Sequence, residues 1–271
     1  ASDDGRCLIS SNDYLVAYAN ASGDSFIVPN NVVGIGHYAF SDCDRLTNVT
    51  IPDSVKAIED SAFWGCYSLK SVIIPDNVTS ISDWTFMSCI NLTSVKLPDG
   101  LKTIGDNAFC NCYKLSDINI PNSVTQMGTS AFSGCIALSK VVIGSGLSTI
   151  DINTFYGCSS LANLTIGENV ASIGESAFRE CLSLIDVTLP EKLTTINVTA
   201  FQGCTSITSI TIPDAVTTLG RSAFYGCTAL KKAVIGDGVA TIMNGAFYGC
   251  ISLEEVLFGN RVTTINQGAF E

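Results

Sequence analysis

The most regular feature of the sequence is the spacing of its apolar side chains. A phenylalanine stands at every 23rd position from Phe40 to Phe270, eleven in all. Ten of these are followed three residues later by cysteine, and leucine or isoleucine comes three residues after that. A segment of alternating apolar and polar residues follows, such as Val49–Ile51, and this alternation is typical of a short strand.

Turn-forming residues occupy the remaining positions of the repeat. All seven prolines directly follow a predicted strand, as Pro52 does, and glycine takes this position in four other repeats. Either residue ends a strand. The pair Ala62-Phe63 and its equivalents are predicted to lie in a short helical or 3₁₀ turn that a preceding Asp or Ser caps. Because so small a unit cannot form a core alone, the fixed period predicts a solenoid of about eleven stacked repeats.

The segment Ile51–Leu69 shows the motif most fully, with the sequence IPDSVKAIEDSAFWGCYSL. This pattern, which recurs over residues 23–271, resembles the BspA-like or treponemal-type leucine-rich repeat. The resemblance implies a leucine-rich repeat solenoid with a parallel β-sheet on one face and short helical or 3₁₀ turns on the return. Residues 1–22 are expected to form an irregular hairpin or cap, with strands at 7–10 and 14–18. The chain is expected to be a fragment of a longer protein.

Composition and charge narrow the classes of function. The chain has 25 Asp and Glu residues against 14 Lys and Arg, a net charge of −11, and no nucleic-acid partner is expected because phosphate contacts need a basic surface. No apolar run approaches the ~20 residues of a membrane span, so no membrane insertion is expected. With His37 as the only histidine and no nucleotide or metalloprotease motif, we predict that the chain is not an enzyme and uses no cofactor.

The cysteines are predicted to be buried thiols rather than disulfides. Ten of the 12 occupy one inward position of successive repeats. Side chains stacked in this way run parallel at the ~4.8 Å strand spacing, which suits the geometry of a disulfide poorly. Cys110 lies in a different, outward position, and we expect it to be the most accessible thiol.

Large side chains on the predicted return segments form the first candidate binding site. They cluster on three consecutive repeats and include both tryptophans of the chain. Contiguous exposed aromatic groups mark interaction sites, although the same groups can instead cover the return segment. The candidate residues are Trp64, Tyr67, Trp84, Met87 and Tyr113.

The outward face of the predicted sheet supplies two further candidates, Ile73 and Lys96. The same face is predicted to carry a short threonine ladder of Thr165, Thr188 and Thr211, with a structural role. Elsewhere, Asp60, Asp83 and Asp106 occupy the position of His37 in the next three repeats.

This aspartate column has two interpretations. Stacked carboxylates are ligands that calcium prefers, so the column is a weak candidate for a metal site. Aspartate before a turn also caps that turn, and this structural role is the favoured interpretation.

The family resemblance implies a non-enzymatic, protein-binding repeat domain of a microbial cell-surface or secreted protein. Members include adhesins, so the expected partner is a host extracellular-matrix protein such as fibronectin or another cell surface. The expected location is extracellular or at the cell surface. The alternatives are an intracellular or periplasmic scaffold and a carbohydrate-associated accessory module. A signal peptide and an anchor in the full precursor would favour the surface protein.

Overall fold

The computed structural model describes residues 5–20 and 23–271, which form a parallel β-solenoid of eleven repeats. We number the repeats by their phenylalanine, from repeat 1 with Phe40 to repeat 11 with Phe270. The strands form two rows along the solenoid, a long row of three- or four-residue strands and a short row of two-residue strands. Each repeat contributes a strand to one or both rows and then returns through tight turns. The predicted solenoid and its 23-residue period are confirmed.

The longer strands form the sheet that the alternating segments predict. Val72 is buried between the exposed Ser71 and Ile73, so each strand directs its central side chain into the core. Ser71 lies opposite Ser94 of the next repeat, in parallel register. The long row consists of Ser25–Ile27, Asn48–Thr50, Ser71–Ile73, Ser94–Lys96, Asp117–Ile120, Lys140–Ile143, Asn163–Thr165, Ser209–Ile212, Lys232–Ile235 and Glu255–Leu257.

A second row of two-residue strands runs along the solenoid after the Pro or Gly turn. Its strands also pair in parallel, with Thr103 between Ser80 and Gln126. The apolar second residue of most of these strands is buried. The short row consists of Gly34–Ile35, Ala57–Ile58, Ser80–Ile81, Thr103–Ile104, Gln126–Met127, Thr149–Ile150, Ser172–Ile173, Thr195–Ile196, Thr218–Leu219, Thr241–Ile242 and Thr264–Ile265.

The return segments are hydrogen-bonded turns, and the prediction of short helical or 3₁₀ segments there is wrong for the described residues. Alternate amides point to the next repeat: Phe132 N donates to Thr154 O at 2.9 Å and Gly134 N donates to Tyr156 O at 2.7 Å. Cys135 N instead returns to Phe132 O, three residues back, at 3.2 Å. A helix would need every amide for bonds within its own segment.

The same turns contain backbone conformations that a right-handed helix excludes. In ten repeats, the residues two before and two after the phenylalanine both have positive φ. Ser130 (56°) and Gly134 (73°) show this for repeat 5. The helix prediction failed because hydrogen bonding between repeats outweighs the local preference.

The core is a stack of phenylalanine rings along the solenoid. From Phe40 to Phe270, successive ring centroids lie 4.8–5.5 Å apart, and their planes differ by only 1–11°. Each ring therefore fills the space between its two neighbours. No stretch of the described residues forms a helix long and apolar enough to cross a membrane.

The thiols form a second column beside the rings. All 12 cysteines are buried, and the eleven from Cys43 to Cys250 form no disulfide. In the nine repeats from Cys66 to Cys250, the Sγ of the cysteine three residues after the phenylalanine donates to the carbonyl of the phenylalanine in the preceding repeat, at 3.0–3.3 Å. The expectation of an accessible Cys110 is wrong, because this side chain is only 8% exposed. It lies on the return between the positions of Met87 and Ser133, and burial raises its pKa.

The long row is interrupted twice. Ser94–Lys96 and Asp117–Ile120 lie in different sheets, and the second interruption falls in the eighth repeat. Residues 186–188 form no strand, so the predicted threonine ladder is broken at Thr188. Around this break, Thr208 N donates to Ile185 O at 3.4 Å, a long hydrogen bond. The short row continues past the break, because Thr195 pairs with both Ser172 and Thr218. The alternation of residues 186–188 does not explain the interruption.

The predicted N-terminal hairpin is present. Cys7–Ile9 and Tyr14–Tyr18 pair antiparallel, and Tyr14 also pairs in parallel with Gly34 of repeat 1. A Cβ at Gly34 would collide with the Tyr14 ring, so glycine allows this close approach. The hairpin covers one edge of repeat 1. Residues 1–4 and 21–22 lie outside the described residues, and the division into 1–22 and 23–271 remains a prediction.

Candidate functional site

The return face of repeats 2–4 carries a patch of large, partly exposed side chains. Trp64, Tyr67, Trp84 and Tyr113 are between 36% and 42% exposed, and Met87 is half-buried. We call these five residues the aromatic patch. Together they form the group that the sequence predicts, and whether they bind a partner remains a prediction.

The turns bring the members of the aromatic patch together. Met87 N donates to Trp84 O at 3.1 Å, so these two residues begin and end one turn. Gly65 N donates to Met87 O at 2.9 Å and joins the turn of Trp64 to that of Met87. Asn91 Nδ2 donates to Tyr67 O at 2.7 Å and joins the same two repeats. Ser88 N donates to Cys110 O at 2.8 Å and joins this turn to repeat 4. The patch is therefore continuous across neighbouring repeats.

Trp84 occupies a strained backbone position. Its φ is +55°, a conformation that is a genuine outlier for so bulky a residue. Small residues hold this position in most other repeats, as Ser61 and Asn107 do on either side. The turn itself therefore does not require an indole there.

The ring faces of the aromatic patch are not engaged by other rings or cations. Later in the array, Tyr225 and Tyr248 stack on each other at 5.0 Å, and the Arg179 guanidinium lies 5.7 Å from the Tyr156 ring. Within the described residues, no ring stacking or cation contact involves the four aromatic members of the patch. These four rings are therefore not covered by another ring or a cation of the described residues.

Ile73 and Lys96 lie on a different face of the molecule. They are opposite each other on neighbouring strands of the long row, and Ile73 is 64% exposed. Their side chains point outward from the sheet, whereas the aromatic patch lies on the return. The structure thus separates the predicted binding residues into two surfaces.

The aspartate column acts as a set of hydrogen-bond acceptors for the next repeat. Asp83 Oδ1 accepts from Asp106 N, and Asp106 Oδ1 accepts from Thr129 N, both at 2.7 Å. Glycine makes room for these carboxylates, because a Cβ at Gly105 or Gly128 would collide with them. No group of three or more His, Cys, Asp and Glu side chains suited to a metal ion occurs within residues 5–20 and 23–271.

We expect Asp106→Ala to lower the free energy of unfolding by about 1–3 kcal/mol, because the Thr129 amide loses a charged acceptor. Asp106→Asn keeps an acceptor oxygen and should cost clearly less. Urea titrations of both variants, with and without millimolar calcium, measure the difference. A calcium-dependent rise in wild-type stability that both variants abolish would instead establish a cation site.

His37 lies beside two carboxylates. Its Nε2 lies 3.8 Å from Glu59 and its Nδ1 lies 3.7 Å from Asp60, and the side chain is 58% exposed. Within the part of the chain that the structure describes, no Ser or Cys nucleophile is recorded in contact with either ring nitrogen.

A polar groove that the sequence did not predict lies on the same side as Tyr67 and Tyr113. It has a volume of about 320 Å³ and contains two lysines, Lys70 and Lys114. These lysines are 44 positions apart, which is two residues fewer than two repeats. The 23-residue period is therefore the sequence signal that could have placed them close together. The groove is lined by Thr47, Ser68, Lys70, Asn91, Thr93 and Lys114.

Comparison with known proteins gives a family match over almost the whole chain. A family model for the BspA type leucine-rich repeat region matches in six copies, over residues 14–139, 79–204 and 171–271. No curated protein matches the chain.

Solved structures give the same result. A leucine-rich repeat protein from Bacteroides ovatus is 30% identical with a TM-score of 0.71, covering 96% of this chain and 74% of its own. The Treponema pallidum leucine-rich repeat protein is 30% identical with a TM-score of 0.62, covering 66% and 87%. A leucine-rich cell surface protein from Faecalibacterium prausnitzii is 26% identical with a TM-score of 0.50, covering 94% and 93%. The chain belongs to the BspA-type leucine-rich repeat family.

Proposed function

We propose that this chain is the non-enzymatic, protein-binding domain of a microbial cell-surface or secreted protein, and that the aromatic patch contacts the partner. Leucine-rich repeat proteins of this family are generally protein-binding, associated with the cell surface and without catalytic activity. The observation that carries the proposal is the set of four partly exposed rings without a stacking partner on three consecutive repeats. Such rings supply most of the binding energy where proteins meet.

The proposed partner is a host extracellular-matrix protein or another cell surface, as in an adhesin. A solenoid offers a long surface on which many modest contacts add up, and tandem domains would add avidity. Ile73 and Lys96 lie on the sheet face and would contact a partner only if it also reached that surface. The alternative of an intracellular or periplasmic scaffold is compatible with the unpaired thiols, since free cysteines suit a reducing compartment.

Binding to immobilised fibronectin and fibrinogen, at low and physiological salt, tests this proposal. We expect saturable binding that survives physiological salt, and a loss of about 30-fold or more in Trp64→Ala/Trp84→Ala, since hot-spot residues contribute 2 kcal/mol or more. Tyr225→Ala/Tyr248→Ala is the matched control, because it removes two rings that stack on each other. Circular dichroism melts confirm that both variants fold.

Two results would contradict the proposal. Equal losses in both double variants would mean that the aromatic patch has no special role. Absence of saturable binding to either matrix protein would remove the adhesin interpretation and favour the scaffold.

A further inference from the structure

The groove between Lys70 and Lys114 differs in charge from the rest of the molecule. The whole chain has a net charge of −11, yet none of the described residues that line this groove carries a carboxylate. Both lysines are exposed, and neither ammonium group forms an ion pair with a described carboxylate. Lys232, by contrast, pairs with Glu255 at 2.8 Å. Two lysines that share one groove, with no ion pair to a described carboxylate, favour an anionic ligand.

The two threonine hydroxyls of the groove already donate their protons within the protein. Thr47 Oγ1 donates to Asp24 O at 2.7 Å, and Thr93 Oγ1 donates to Lys70 O at 2.9 Å. The Asn91 amide donates to Tyr67 O. Because a hydroxyl has one proton and two lone pairs, the threonine oxygens and Asn91 Oδ1 can still accept hydrogen bonds. A ligand with hydroxyl donors can therefore bond to these oxygens.

Aromatic rings flank the groove on one side. Tyr67 and Tyr113 directly precede Ser68 and Lys114 in the chain, and they occupy the same position two repeats apart. Both are 42% exposed and have no stacking partner among the described residues. Their faces suit a ligand with an apolar side.

We propose that this groove binds an acidic oligosaccharide, with the sugar carboxylate between the ammonium groups of Lys70 and Lys114. The sugar hydroxyls donate to the oxygens of Thr47, Thr93 and Asn91, and the C–H face of a ring packs on Tyr67 or Tyr113. A sugar acid combines negative charge, several hydroxyl donors and an apolar face in each unit. An acidic peptide offers one backbone donor per residue and lacks the flat C–H face. The groove volume of about 320 Å³ suits one or two sugar units.

This site shares Tyr67 and Tyr113 with the aromatic patch, but the lysines and polar groups that define it lie outside the patch. The proposal therefore does not rest on the protein-binding function. Loss of fibronectin binding in Trp64→Ala/Trp84→Ala tests one surface, and variants of the two lysines test the other.

The probe is a tetramer of galacturonic acid, titrated calorimetrically against the intact chain at 50 and 200 mM NaCl. We expect binding that weakens with salt and at least a 10-fold loss in Lys70→Gln/Lys114→Gln. Lys192→Gln/Lys231→Gln changes the net charge equally at exposed lysines elsewhere and should bind within 2-fold of wild type. A neutral galactose tetramer should not bind measurably.

Three outcomes would overturn the proposal. These are absence of galacturonate binding by the wild-type chain, equal losses in the two lysine pairs, and equally tight binding of a tetraglutamate peptide with the same dependence on Lys70 and Lys114. The last would assign the groove to acidic peptides instead. Thermal melts of both double variants show whether a loss of binding reflects unfolding.

Discussion

Replacing Phe155 with alanine should lower the free energy of unfolding by about 3–5 kcal/mol, the cost of a large cavity in a packed core. Phe155 is fully buried in the middle of the ring column. Its centroid lies 5.5 Å from that of Phe132 and 5.4 Å from that of Phe178, so its removal leaves each neighbour without its packing partner on one side. Urea unfolding followed by circular dichroism measures the change.

Ser160→Ala is the control for this experiment. Ser160 is exposed in the same repeat, and only its backbone amide bonds to a neighbour, Ile136 O. Its replacement should change stability by about 0.5 kcal/mol or less. A loss under about 1 kcal/mol for Phe155→Ala would show that the ring column does not hold the repeats together.

The thiol column should make the protein unstable in alkali. Burial raises the pKa of six thiols that are almost completely enclosed, and for Cys204 it reaches about 12 against the ordinary 9.0. Above about pH 9 the unfolded chain loses thiol protons that the folded chain keeps, so the unfolded state becomes more favourable. The six thiols are those of Cys89, Cys112, Cys135, Cys158, Cys181 and Cys204.

The expected loss is large because the contributions add. Each thiol removes about 1.4 kcal/mol per pH unit once the pH is well above its unfolded pKa, so six remove roughly 8 kcal/mol per unit. A chain of 271 residues is typically stable by about 14–40 kcal/mol. Below about pH 9 these thiols keep their protons in both states, so they do not lower the free energy of unfolding. Above that pH the free energy of unfolding should fall, and we expect the solenoid to unfold between about pH 10 and 12.

Urea unfolding at a series of pH values tests this, with Cys112→Ala/Cys135→Ala/Cys158→Ala as the comparison. The triple variant should lose stability with pH less steeply, by about 4 kcal/mol per pH unit, whatever its stability at neutral pH. Other groups that titrate in alkali are common to both chains and cancel. If the two slopes were the same, the buried thiols would not be the cause of alkaline unfolding.

Much of the fold follows from the period alone. Because every repeat places the same residue types at the same position, Phe40 and Phe63 must stack if the repeats do, and alternation fixes which strand residues face inward. The helical turns were mispredicted because the sequence around Ala62 and Phe63 does not show that alternate amides bond to the next repeat. The gap at 186–188 was missed for a related reason, since alternation reports burial but not strand pairing.

Only part of the candidate site could be predicted from the sequence by the same reasoning. Trp64 and Trp84 stand out because they depart from the residues found at their positions elsewhere in the chain. Lys70 and Lys114 do not, because lysine is unremarkable at an exposed position and the two are far apart in the sequence. Only the stacked repeats show that the two lysines line one groove, and that no carboxylate of the described residues lines it with them. The hydroxyls of Thr47 and Thr93 donate to backbone carbonyls, and these acceptors likewise cannot be identified without the folded structure.

The gap in the long row also bears on how the molecule would respond to mechanical tension. In a solenoid, a pull applied at the two ends passes through each repeat-to-repeat interface in turn, because each repeat contacts only its neighbours. At residues 186–188 the interface retains the short strand row and the buried rings but lacks the long-row strand pairing. Interfaces of this kind should therefore part before those that keep both rows, releasing folded segments joined by a short extended tether.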